Sequence, residues 1–138
     1  MTNKFKDKVA IITGGGSGVG NETAKQFVAQ GGSVVIVGRN AEKLATAADE
    51  IDASGARVAV LTGDVGEVST SERTVSLATE RFGGVDVLFI NAGIFKPTPF
   101  LDHREEDFDR FLKIILKGKF CMALAAARAM LNRGGGTL

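Results

Sequence analysis

Short unbroken apolar runs alternate along this chain with stretches whose apolar residues recur every three or four positions. Val9-Ala10-Ile11-Ile12 has no polar interruption, as a strand buried on both faces requires, and it runs straight into a glycine cluster that predicts a sharp turn. From Val19 the spacing changes to Ala24, Phe27 and Val28, one face of a helix, which Gly31-Gly32 should close. The unit then repeats. Val34 to Val37 is a second buried strand, Asn40 can cap a helix with Leu44, Ala48 and Ile51 on its inner face, and Gly55 ends it. Val58 to Leu61 gives a third strand. Ser69 with Glu72 reads as a capping box for a helix with the stripe Val75, Ala78 and Phe82, stopped by Gly83-Gly84. Val85 to Ile90 gives the fourth strand, and after Pro97 and Pro99 the residues Asp102 and Glu105 open a long helical stretch to about Leu131. Gly134-Gly135-Gly136 then lead into Thr137-Leu138, the start of a rudimentary fifth strand.

Strands apolar on both faces, alternating with helices, imply a parallel sheet covered on both sides by right-handed crossovers. The expected fold is α/β, a doubly wound sheet in the order 3-2-1-4 with the rudimentary fifth strand beyond, and 138 residues suit one domain spanning 1–138.

Composition narrows the function. Seventeen Lys and Arg against sixteen Asp and Glu leave a net charge of +1, too small to hold nucleic acid or an anionic bilayer by long-range field. The longest apolar run, Phe120 to Ala127, is eight residues where a membrane helix needs about 20. Met1 to Lys8 carries three lysines and no hydrophobic signal core, so the expected compartment is the cytoplasm. One Cys and one His cannot build an intrachain disulfide or a Cys/His metal cage. The 18 glycines need a specific use, and five of them fall between Gly14 and Gly20.

That cluster reads Thr13-Gly14-Gly15-Gly16-Ser17-Gly18-Val19-Gly20. The G-x-G-x-x-G register does not fit it, and a P-loop fails because Asn21 stands where Lys is needed after Gly20. Thr-Gly-x-x-x-Gly-x-Gly does fit, between the first strand and the first helix, where missing side chains let a pyrophosphate approach backbone amides at a positive helix end.

With Gly63-Asp64-Val65 after the third strand and Asn91-Ala92-Gly93 after the fourth, the chain resembles the short-chain dehydrogenase/reductase family over essentially its whole length. The resemblance implies NAD(P)-dependent transfer of a hydride between an alcohol and a carbonyl. It implies that Gly14, Ser17, Gly18, Val19 and Gly20 hold the pyrophosphate side, and that Asp64 and Val65 flank the adenine, Asp64 accepting from its amino group. Asn91, Ala92 and Gly93 would support the fold and line the ribose. The choice of cofactor depends on the end of the second strand, where an acidic side chain would accept from a free ribose 2′-hydroxyl. The segment instead reads Val37-Gly38-Arg39-Asn40, and the Arg39 guanidinium suits a 2′-phosphate, which favours NADP over NAD. Ser17 stands where the family often has a second basic residue before Gly18.

The catalytic residues that the family implies cannot be assigned. Its Ser belongs on the strand that Thr137-Leu138 would begin and its Tyr-x-x-x-Lys on the helix after it, while this chain holds no Tyr. The family's Asn, expected in Val-Asn-Leu-x-Gly, is replaced by Ile115 in Ile114-Ile115-Leu116-Lys117-Gly118. The expectation is a cofactor-binding half that stops before the catalytic Ser and Tyr and is inactive alone; a nucleotide-binding sensor or an assembly subunit is the alternative. His103 reads as an exposed residue after a helix cap, Cys121 as a small core residue, and Glu105, Glu106 and Asp107 as first-turn acids rather than metal ligands. The long helix carries one stripe of Phe111, Ile115, Gly118, Met122 and Ala125 and a second of Phe108, Leu112, Leu116, Phe120 and Leu124. One can cover the sheet. The other calls for a partner, and the resemblance implies a homo-oligomer joined through Asp102 to Leu131.

Overall fold

The computed structural model describes residues 3–94 and 96–138; Met1, Thr2 and Phe95 lie outside the described residues. Four parallel strands, β1 (Val9–Thr13), β2 (Ser33–Gly38), β3 (Val58–Thr62) and β4 (Val87–Ile90), form one sheet in the order β3-β2-β1-β4. Thr137 pairs in parallel with Val87 beside β4, which is as far as the expected fifth strand extends. Helices α1 (Gly18–Ala29), α2 (Ala41–Ile51) and α3 (Val68–Phe82) make the crossovers.

The two-sided burial follows from the strand sequences. Alternate residues face opposite sides of a strand. Val9, Ile11, Val35, Val37 and Leu88 pack with α3 and the last helix through Ala78, Met122, Ala126 and Met130. Ala10, Ile12, Val34, Ile36 and Val58 pack with Ala24 and Phe27 of α1 and Leu44 and Ala47 of α2. Asn40 caps α2 as expected, its Oδ1 accepting the Lys43 N–H at 3.0 Å.

Several features of the helices differ from the expectation. The pair Ser69 and Glu72 caps nothing, because the turn before it already closes: Asp64 Oδ1 accepts the Gly66 N–H, the Asp64 carbonyl accepts from Glu67, and α3 starts at Val68. The inner face of α3 begins with buried Thr70, Ser71 and Thr74 ahead of Ala78, so Val75 and Phe82 are only half-buried.

The long helix opens later than Asp102. Phe100–Asp102 form a single 3₁₀ turn, His103 and Arg104 are extended, and Asp107 Oδ2 accepts the Arg104 N–H to start α4 (Glu105–Leu112).

The stripes of this helix also differ from the expectation. The turn Lys113–Gly118 is a π-helix, leading directly into α5 (Lys119–Leu131). That wider turn moves the inner row to Ile114, Gly118, Met122, Ala126 and Met130, and leaves Phe111 exposed and Ile115 and Ala125 half-buried. Phe108, Leu112, Leu116, Phe120 and Leu124 are all exposed, as the second stripe required. Cys121 is half-buried rather than core.

Candidate cofactor cleft

In a doubly wound sheet the crevice lies beyond the carboxyl ends of the strands, where the crossovers from the central strands leave in opposite directions. Here β1 feeds α1 on one face while its neighbour β4 runs on toward α4 and α5 on the other. A cleft of about 400 Å³ opens at that point. Gly14, Ser17, Gly18, Val19, Arg39, Asp64, Val65, Asn91, Ala92 and Gly93 line it, together with Gly38, Gly63, Ile94 and Ile114. Residues from four separate loops meet there. Of the sequence-predicted set only Gly20 stands back from the wall, and its place is structural: a Cβ on it would lie 2.5 Å from the Gly14 carbonyl oxygen and 2.6 Å from Asn91 Nδ2.

The glycine turn is pinned from β4. The buried Thr13 hydroxyl accepts the backbone N–H of both Asn91 and Ala92 at 3.0 Å, and Asn91 Nδ2 donates to the Gly14 carbonyl at 3.3 Å. Thr13 thus ties the end of β1 to the end of β4, a role signalled only by its place at the head of the glycine run. Asn21, the residue that excluded a P-loop, is buried, with Nδ2 donating to the Gly15 carbonyl at 3.4 Å.

The start of α1 presents unpaired amides to the cleft. The first N–H groups of a helix have no intrahelical acceptor and carry its positive end. Ser17 is the N-cap residue, yet its side chain makes no capping bond, and the first turn of α1 contains no acid that would neutralise it. Gly18 adopts φ +57°, and a Cβ there would meet no atom within 4 Å. The cradle is open on its glycine face, and its amides and lack of first-turn acids could hold a doubly charged pyrophosphate.

Two charged side chains line the cleft. Arg39 is exposed at the end of β2 and makes no ion pair among the described residues. Asp64 lies beyond β3. Partial burial pushes its carboxyl up, but hydrogen bonds from Arg110 and the Gly66 N–H, with the charges of Arg110 and Lys113, outweigh that and hold it below the usual carboxylate range. Asp64 is accordingly ionised at neutral pH, and the stability it contributes is lost only as pH falls through that lowered value. Sequence reasoning missed Arg110, which lies 46 positions away on another element, and the close approach that requires a glycine at Gly118. A Cβ on Gly118 would fall 2.6 Å from the Val65 carbonyl oxygen, so only glycine lets the π-helical turn reach the cleft loop. Ile115 stands beside Gly93, its Cδ1 3.6 Å from where a Cβ on that glycine would be. His103 and Glu105 to Asp107 do not line the cleft.

This geometry has relatives. The family model described as short chain dehydrogenase matches residues 8–138. An uncharacterized oxidoreductase of Thermotoga maritima is 35% identical over 134 residues, covering 97% of this chain and 53% of its own. L-sorbose reductase from Gluconobacter frateurii, solved with NADPH and L-sorbose, superposes with a TM-score of 0.90 at 28% identity, over 99% of this chain and 52% of that one. An NAD⁺-bound xylitol dehydrogenase gives a TM-score of 0.89 at 30% identity, over 96% and 52%. The chain spans about half the length of each of these relatives. With the family's pattern matched from β1 to the residue that pairs beside β4, this chain belongs to the short-chain dehydrogenase family.

Proposed function

We propose that the chain is the dinucleotide-binding part of an NAD(P)-dependent oxidoreductase acting on an alcohol/carbonyl pair, and that it takes NADP in preference to NAD. The observation that carries this reading is the convergence of the predicted residues on one cleft at the sheet's carboxyl edge. In it, the amides around Gly14 and Ser17 to Gly20 hold the pyrophosphate, Asp64 and Val65 flank the adenine, and Asn91, Ala92 and Gly93 line the ribose leading to the nicotinamide. The bound nicotinamide supplies the hydride chemistry; the residues of this chain bind and orient it.

The two solved neighbours carry different cofactors, NADPH in one and NAD⁺ in the other, so the preference rests on Arg39. Its exposed guanidinium, with no carboxylate paired to it among the described residues, is available to a 2′-phosphate. Calorimetric titration is expected to give a lower Kd for NADP than for NAD. Arg39→Ala should weaken NADP by about 10- to 100-fold, the cost of one charge-assisted contact of about 1.5–3 kcal/mol, and leave NAD unchanged. Equal dissociation constants for the two in the unmutated protein would overturn the preference.

The second part of the proposal concerns a partner. Phe108, Leu116 and Phe120 are 60%, 64% and 66% exposed on the face of the α4–α5 helix turned away from the sheet, flanked by exposed Phe111, Leu112 and Leu124. A contiguous apolar strip of this kind favours association, and we assign it to a second copy of the chain. Sedimentation at tens of micromolar should show a dimer or larger species, and Leu116→Glu with Phe120→Glu should return a monomer of unchanged circular dichroism. A monomer before mutation would refute the assignment.

A further inference from the structure

Two carboxylates of the β3–α3 loop are each held by a basic side chain of the α4–α5 helix, and the pairs run parallel. Arg110 Nη1 donates to Asp64 Oδ2 at 2.7 Å, and Lys113 Nζ pairs with Glu67, so residues three apart on the loop meet residues three apart on the helix. Of the four, only Asp64 lines the cleft.

Its carboxylate is fixed at both oxygens. Oδ1 accepts the Gly66 N–H at 2.8 Å while Oδ2 takes Arg110, which comes from the helix and forms no part of the cleft wall. A carboxylate has about four acceptor positions, so two stay free on a side chain that lines the cleft. Without Arg110 the carboxylate would keep only the local bond from the Gly66 N–H to Oδ1, on a loop bounded by Gly63 and Gly66, and Oδ2 would lose its one side-chain partner among the described residues.

We propose that Arg110 is a positioning residue of the cofactor site: with the Gly66 N–H it fixes the Asp64 carboxylate so that its free lone pairs face the exocyclic amine of an adenine. The proposal rests on the dinucleotide reading above and adds to it a residue that touches no ligand. A fixed anionic acceptor recognises an N–H donor and repels a carbonyl oxygen placed there, so the site discriminates adenine from hypoxanthine. Lys113 and Glu67 link loop and helix through a partly exposed side-chain pair and touch neither oxygen of Asp64, whose Oδ2 is held by Arg110.

The test compares NADP with nicotinamide hypoxanthine dinucleotide phosphate, in which the 6-amino group is replaced by a carbonyl oxygen. The unmutated protein is expected to bind the adenine form about tenfold or more tightly, the size of a hydrogen bond to a charged group. Arg110→Gln should bring the ratio close to one, while Lys113→Gln should keep it. A purely structural role for Arg110 would weaken both ligands together and leave the ratio unchanged, and that outcome in a folded Arg110→Gln protein overturns the proposal. If Arg110→Gln does not fold, Arg110→Lys, which keeps a charge beside Asp64 but loses the directed guanidinium, should give an intermediate ratio; an undiminished one overturns it. Equal binding of both ligands by the unmutated protein removes the adenine contact itself. Binding of neither removes the dinucleotide reading and this assignment with it.

Discussion

With NADPH and any ketone, the 138-residue chain is expected to bind the dinucleotide yet show no turnover above the uncatalysed rate. The family's reduction uses a Tyr as proton donor, and this sequence has none. A positioned acid is worth about 10²- to 10⁴-fold, and nothing in the cleft replaces it. Its end beyond β4 is lined by Asn91, Ala92, Gly93, Ile94 and Ile114, none of which titrates. Asp64, the one acid of the lining, is held ionised by Arg110 on the loop after β3 and has no proton to give. Ile115, where the family carries an Asn, stands beside Gly93 and offers neither donor nor acceptor to a proton-carrying water. His103 is exposed on the turn before α4, outside the cleft. Absorbance at 340 nm with and without ketone, on protein of confirmed mass, decides. Ketone-dependent NADPH oxidation that scales with protein would overturn the expectation and turn attention to His103. The same assay on a chain that carries the Ser and Tyr-x-x-x-Lys separates the enzyme reading from a cofactor sensor, which would bind and still not turn over.

How far the sequence could be read depended on whether a feature was local. The strands were legible because Val34 to Val37 and Val9 to Ile12 are short runs, apolar at every position and bounded by glycine, as strands of a sheet covered on both faces are. The cleft was legible because its residues sit in loops directly after those strands. What escaped were a competing local turn, polar residues buried on a helix, and contacts between distant segments. The Asp64 turn that moved the start of α3 to Val68 competes with a capping pattern at Ser69 and Glu72 that is equally good locally. The buried Thr70, Ser71 and Thr74 cannot be found from apolar periodicity, since they are polar. Thr74 bonds back to the Thr70 carbonyl at 2.6 Å, the kind of satisfaction that makes such burial tolerable. The π turn shifts the inner row by one residue, from Ile115 to Ile114, and the cause lies partly in Gly118 fitting under Val65, a contact between segments more than fifty positions apart.

Gly18→Val is expected to abolish dinucleotide binding in a protein that still folds. At Gly18 an added Cβ would meet no protein atom within 4 Å, and the residue lines the cleft, so a side chain there projects into cleft space rather than into the core. The fold bears the backbone strain of a β-branched residue at φ +57°, about 1–2 kcal/mol or somewhat more. That is small beside the roughly 5–15 kcal/mol of an ordinary domain, and circular dichroism should be unchanged. The ligand loses much more, because the two methyl groups would stand over the first amides of α1, where the pyrophosphate must come within hydrogen-bond distance. Gly18→Ala, with one methyl, should weaken binding less. Gly20→Ala makes the contrasting case: its Cβ would lie 2.5 Å from the Gly14 carbonyl oxygen, so it should lower the melting temperature before any question of ligand arises. Chemical-shift mapping would add the location, since nucleotide added to the unmutated protein should move the amides of Ser17 to Gly20 and move none of them in Gly18→Val. A folded Gly18→Val protein that binds NADP as tightly as the unmutated chain would reduce the glycine cluster to a tight turn between β1 and α1 and leave the pyrophosphate without a place.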